Sequence, residues 1–197
     1  IDAFLLQALT REQLGFAPEA EKVTLLRRAT LDITGLPPTP AEVEAFLTDP
    51  APDAYEKWID RLLASPHYGE RWGRHWLDVA GYADSDGFSD ADPVRPYAYK
   101  YRDYVIRAFN ADQPIDQFIA EQIAGDELAR VTQSNAAPAA LADPRVRDLL
   151  TATGFLRMGA DGSAKPGVDQ EVARNQVVAD TIKIVSTSLL GLSVGCA

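Results

Sequence analysis

One cysteine (Cys196), one methionine (Met158) and two histidines (His67 and His75) are all that this 197-residue chain holds of those residue types. A lone cysteine cannot close an internal disulfide, so no such bridge staples the fold, and the thiol count leaves the redox compartment open. Long apolar runs are missing: none approaches the roughly eighteen residues that a bilayer-spanning helix needs, so no membrane insertion is expected. Positive charge is scarce as well. Nineteen Lys and Arg against 29 Asp and Glu give a formal charge of −10 and a pI near 4.6. That balance argues against nucleic acid and against an anionic membrane surface as partners. No alternating β-branched run exceeds four residues, so there is little from which to build a sheet. A Gly-rich phosphate loop, a serine nucleophile elbow and a zinc-binding H-E-x-x-H are absent too.

What is present is helical punctuation. With 46% apolar residues the chain can build one sizeable core with room for two subdomains sharing it. Apolar spacing predicts helices over Asp2 to Leu14 and Glu19 to Ile33, the second ended by Gly35. Thr39, Pro40 and Glu42 read as a capped helix start running to Leu47. Helices are further expected from Asp53 to Leu63 and, behind the Ser65-Pro66 cap, to about Ala80. After an acidic stretch come Tyr97 to Phe109, a helix opened at Asp112-Gln113-Pro114 and reaching Leu128, Pro144 to Leu156, and Val168 to Leu192. The fold class is therefore all-α: an irregular multi-helix bundle with an acidic loop near residues 83–93. A single helical domain over residues 1–197 is expected. Because the chain opens on Ile1 without an initiator Met, it reads as a fragment of something larger.

Chemistry-bearing residues are densest between His67 and Asp78. On a helix His75 and Asp78 lie three apart, so the carboxylate can hold the ring and raise its basicity, as a general base or a metal-ligating imidazole requires. Arg74–Asp78 and Glu70–Arg74 read as ordinary helix-face ion pairs, and Trp72 and Trp76 as a core stripe. His67, beside Pro66, reads as a capping or packing residue. Asp84, Asp86, Asp90 and Asp92 crowd one loop, and clustered carboxylates invite a hard cation; Asp84, Asp86 and Asp90 are the candidate calcium ligands. The EF-hand spacing is not met, since Gly87 falls at the fourth position from Asp84 rather than the sixth. Met158 is a candidate thioether ligand for a haem iron. At the end of the chain Cys196 follows an apolar small-residue run. A c-type haem site is written C-x-x-C-H, and the sequence stops one residue after what reads as its first cysteine.

Several segments together resemble one family, the planctomycete cytochrome-c-like (PSCyt-type) domain of unknown function. They are Arg27 to Pro40, Leu63 to Trp72 continuing through His75-Trp76-Leu77-Asp78, Tyr82-Ala83-Asp84, Tyr101 to Ile106, Gln122 to Leu128, and Gly191 to Ala197. The resemblance implies that Cys196 is the first thioether-forming cysteine of a haem-attachment motif cut off here. It implies haem c in the intact parent, not in this fragment; an electron-transfer module would draw its other ligand from His75, His67 or Met158. Export to the periplasm or cell surface and large accompanying domains in the same polypeptide follow in the same way, and an electron-transfer role calls for a redox partner protein. One departure is visible: Gly81 stands where the family usually has an arginine.

Three functions are consistent with these features. The first is a haem-linked electron-transfer module of a secreted cytochrome-c-like protein. The second is a secreted enzyme or enzyme-accessory domain acting on polysaccharide, with His75, Asp78, Asp84 and Asp86 lining a cleft. The third is a helical scaffold that positions neighbouring domains.

Overall fold

The computed structural model describes residues 1–85, 92–131, 140–159, 161–163 and 167–194. It divides into two compact units, Ile1–Leu62 and Leu63–Ala197. Among the described residues all regular structure is helical, apart from one isolated β-bridge between Ser85 and Val94. No described helix is long and apolar enough to cross a membrane.

The first unit contains α1 (Asp2–Arg11), α2 (Lys22–Thr34), α3 (Pro40–Thr48) and α4 (Ala54–Leu63), the last ending at the unit boundary. The first helix stops short of Leu14 because Gln13 takes a positive φ of 58°. Helix α1 buries no residue. Helix α2 ends at Gly35, whose left-handed φ of 74° suits glycine. The capping box forms as expected: Glu42 N–H donates to Thr39 Oγ1 at 3.3 Å and Thr39 N–H to Glu42 Oε2 at 2.8 Å. Leu26, Ala29, Phe46, Trp58 and Leu62 make the core. The Trp58 indole N–H, buried with its ring, donates to Thr30 Oγ1 at 3.2 Å, which meets the demand of a buried indole for an acceptor.

The second unit contains α5 (Pro66–Ala80), α6 (Ala98–Asn110), α7 (Ile115–Leu128), α8 (Pro144–Ala152) and α9 (Gln170–Leu190), with 3₁₀ turns at Ala140–Ala142 and Thr153–Arg157. Two glycines let helices approach to backbone contact. A Cβ on Gly69 would lie 2.4 Å from the Ile106 carbonyl oxygen, and one on Gly125 would lie 2.1 Å from that of Leu149. The α5–α6 and α7–α8 crossings therefore require the missing side chains. Asn110 fastens the first crossing: it accepts from Gly69 N–H at 2.7 Å and donates to Pro66 O at 3.1 Å. The helix expected to reach Leu156 breaks at Ala152 into the 3₁₀ turn. There Gly154 lies against Tyr101, and Thr153 Oγ1 bonds the Leu150 carbonyl at 2.7 Å. Phe155 in that turn is wholly buried, among Leu77, Tyr101, Tyr104, Val105 and Phe118.

Candidate functional site

Three chain segments converge at the C-terminal end of α5. The helix is capped there by Gly81 at φ 70°, whose N–H bonds back to Asp78 O at 3.2 Å. This left-handed position suits glycine, because a β-carbon is disfavoured in that conformation. Tyr82 follows. Its hydroxyl donates to Asp84 Oδ1 at 2.6 Å, and its ring stacks on Tyr101 with centroids 6.5 Å apart. Burial, and then the bond to Asp84, push the Tyr82 phenol up to about 12.

The returning strand-like segment is held by Arg95 N–H to Asp84 O at 2.8 Å. The Arg95 guanidinium reaches across to the end of the 3₁₀ turn, donating to the carbonyls of Met158 and Gly159 at 3.0 Å each. Helix α9 completes the arrangement. Thr181 Oγ1 bonds Leu156 O at 3.2 Å, and Ser188 Oγ bonds Val79 O at 2.8 Å. A cavity of about 330 Å³ lies at this junction, with Val79, Gly81, Met158, Asp180, Lys183 and Ile184 among its walls.

Behind the site runs a buried polar and aromatic interior. Rings stack from Tyr82 to Tyr101, from Tyr101 to Tyr104 at 6.4 Å and from Tyr104 to Phe118 at 6.0 Å; Trp76 meets Phe118 edge-on at 4.9 Å. Each polar edge has a partner. The Trp76 indole N–H points at both Tyr101 Oη and Gln122 Oε1 at 3.0 Å, and Tyr101 donates to the same Gln122 oxygen at 2.5 Å. Tyr104 donates to Glu121 Oε2 at 2.9 Å, and Arg145 Nη2 to Glu121 Oε1 at 2.5 Å. Burial pushes the Tyr101 and Tyr104 phenols well above their ordinary range, and the Glu121 carboxylate adds to the second shift.

The sequence-level candidates are dispersed relative to this junction. Met158 lines the cavity and packs against the core. His75 is exposed on α5, its ring 5.4 Å from that of Trp72, and Asp78 is exposed one turn further on. Among the described residues no hydrogen bond or ion pair joins the two, and neither lines the cavity. His67 pairs with Glu70 at 2.8 Å in the first turn of α5, about 18 Å along the axis from Val79 at 1.5 Å per residue. Asp84 is engaged by Tyr82, while Asp86, Asp90 and Cys196 lie outside the described residues.

Sequence reasoning missed Arg95, Glu121, Gln122 and Arg145. A signal existed for two of them: Glu121 and Gln122 fall on the Phe118–Gly125 stripe of α7, where spacing calls for burial. Polar residues on a core stripe mark an internal network.

Covalent haem requires two thiols and an imidazole. The chain supplies one thiol, and the junction adds one thioether, Met158, and no histidine. These residues meet part of that need and do not complete it.

A helical module with a hydrogen-bonded aromatic interior and a small cavity at its α5–α9 junction is the class this structure defines. The chain belongs to the PSCyt2 family, described as a protein of unknown function (DUF1549), which it matches over residues 1–197. No curated protein and no solved structure matches it.

Proposed function

We propose that this chain is the helical module of a secreted cytochrome-c-like protein and serves haem-linked electron transfer in the intact parent. In this reading Cys196 would hold the haem through a thioether and Met158 would be a ligand to its iron. One observation carries it: the Ser188–Val79 bond pins the C-terminal part of α9 to the rim of the cavity that Met158 lines. The segment from Leu190 to Val194 therefore follows directly on that rim. When bound, haem c supplies reversible one-electron chemistry, and a thioether ligand raises its potential. The chain's own part is mechanical and electrostatic. Arg95 fixes the Met158–Gly159 carbonyls, which sets where the thioether stands, and the Tyr82–Tyr101 stack lies behind. Other domains of the same polypeptide and a redox partner complete the system, in the periplasm or at the cell surface, where haem c is attached.

The test is expression of the full polypeptide with c-type maturation machinery. A haem stain that survives denaturing gels, together with a Soret band, is expected, and Cys196→Ala should reduce covalent retention. A colourless product beside a correctly matured control cytochrome overturns the proposal. If haem attaches but Met158→Ala leaves the midpoint potential unchanged, the axial assignment fails while the module reading stands.

A further inference from the structure

We propose that the groove between α6 and α8 binds an anionic saccharide, a sugar carrying carboxylate or sulfate groups. The proposal is independent of the electron-transfer reading. The groove is an open cleft of about 780 Å³, within the range of small-ligand sites. Its walls are two helix faces: Tyr99, Asp103 and Arg107 spaced four apart on α6, facing Pro144, Asp148 and Thr151 on α8.

The lining carries a small excess of positive charge. The chain is strongly acidic, yet the cleft is lined by three cations, Lys100, Arg107 and Arg147, against two carboxylates, Asp103 and Asp148. Both carboxylates are already held. Asp148 accepts from Arg107 Nη2 at 2.6 Å, and Asp103 accepts from Arg102 Nε at 3.1 Å and Nη2 at 3.0 Å. That leaves two cations with no protein carboxylate among the described residues. Lys100 lies 5.0 Å over the Tyr97 ring, and Arg147 is exposed. An anion held by either takes charge-assisted hydrogen bonds that the protein does not supply, and the guanidinium fork of Arg147 suits a carboxylate or a sulfate.

The remaining lining favours a sugar as carrier of that anion. Tyr99 is 44% exposed and Leu141 39% exposed, which offers a ring face and an aliphatic edge for the C–H face of a pyranose. Thr151 and the outer lone pairs of Asp103 and Asp148 meet its hydroxyls.

The experiment titrates the 197-residue chain, followed by amide NMR, with trigalacturonate, a sulfated galactan trisaccharide, maltotriose and a hexaglutamate peptide. Saturable shifts confined to α6 and α8 with at least one of the two anionic sugars are expected, weakening with added salt. Arg147→Ala and Lys100→Ala should each weaken binding by about tenfold, the loss of one charge-assisted bond, without altering the thermal melt. Tyr99→Ala should weaken it as well, at unchanged salt dependence. Equal binding of maltotriose overturns the anionic requirement, and equal binding of hexaglutamate overturns the saccharide in favour of an acidic polypeptide. The absence of shifts with both anionic sugars at millimolar concentration overturns the site itself, as does unchanged affinity in Arg147→Ala.

Discussion

Glu121 is the most informative residue to perturb, because a carboxylate only 1% exposed must either be paired or be neutral. Burial pushes its proton affinity up. The Arg145 guanidinium at 2.5 Å, the Gln113 side chain and the Tyr104 hydroxyl at 2.9 Å outweigh that push and hold the acid below its ordinary 4.5. The folded state therefore binds fewer protons than the unfolded chain just below pH 4.5, so the ionised carboxylate stabilises the fold above that pH. The stabilisation is lost as pH falls through the folded value. Glu121→Gln keeps the volume and removes the charge. The Arg145 side chain is 56% exposed and regains water when it loses its partner, so its bond counts little. The buried Tyr104 hydroxyl exchanges a charged acceptor for a neutral one. Together these amount to about 2 kcal/mol at pH 7. Urea unfolding, followed by the indole resonance of Trp76 so that the second unit is read selectively, should show that deficit at neutral pH. The gap should close as pH falls from neutral through the folded value, once the native carboxylate is protonated as well. A gap that stays constant across this range, or a Gln variant more stable at neutral pH, refutes an ionised Glu121 in the fold.

Two further outcomes follow from the same geometry. Gly125→Ala forces a methyl to within 2.1 Å of the Leu149 carbonyl oxygen, whereas Gly73→Ala meets Val105 Cγ1 at an ordinary 3.4 Å. The first should cost about 3 kcal/mol of stability and the second under about 1 kcal/mol, and thermal melts that fail to separate them contradict the close α7–α8 crossing. Asp84→Asn removes the negative charge that helps to push the Tyr82 phenol up to about 12. Its alkaline ultraviolet titration, with Tyr82→Phe identifying the signal, should therefore move back toward 10. Because that folded value is raised, the contribution of Tyr82 to stability is intact below pH 10 and declines above it in the native protein.

The helices were legible wherever a local device announces them. The Thr39–Glu42 capping box, Ser65-Pro66 before α5 and the glycines at 35 and 81 each set a boundary through bonds made within a few residues. Ends decided by distant contacts were not legible. The break of α8 at Ala152 depends on Gly154 meeting Tyr101, some fifty residues away in sequence, and the start of α2 at Lys22 rather than Glu19 follows an exposed approach with no such device. The His75–Asp78 pairing was expected from i, i+3 spacing alone. Spacing fixes which face two residues share, not whether either turns inward, and both are exposed.

The residues that organise the second unit share one property that explains why a linear reading passed over them. Arg95, Gln122 and Arg145 do their work on partners 63, 21 and 24 positions away, so no local pattern encodes the contact. Each is also an unremarkable polar residue until burial is known, because a hydrogen bond in water is nearly neutral and becomes decisive only when the alternative is an orphaned group in the core. The polar stripe of α7 was therefore the available clue. Phe118 and Gly125 define a face that must be covered, and Glu121 and Gln122 on that same face require partners from other helices. Tyrosines supply them, and their rings simultaneously fill the core. The tyrosine enrichment of α6 thus follows from satisfying α7, and replacing Tyr104 by phenylalanine would preserve the packing while leaving the Glu121 carboxylate one donor short.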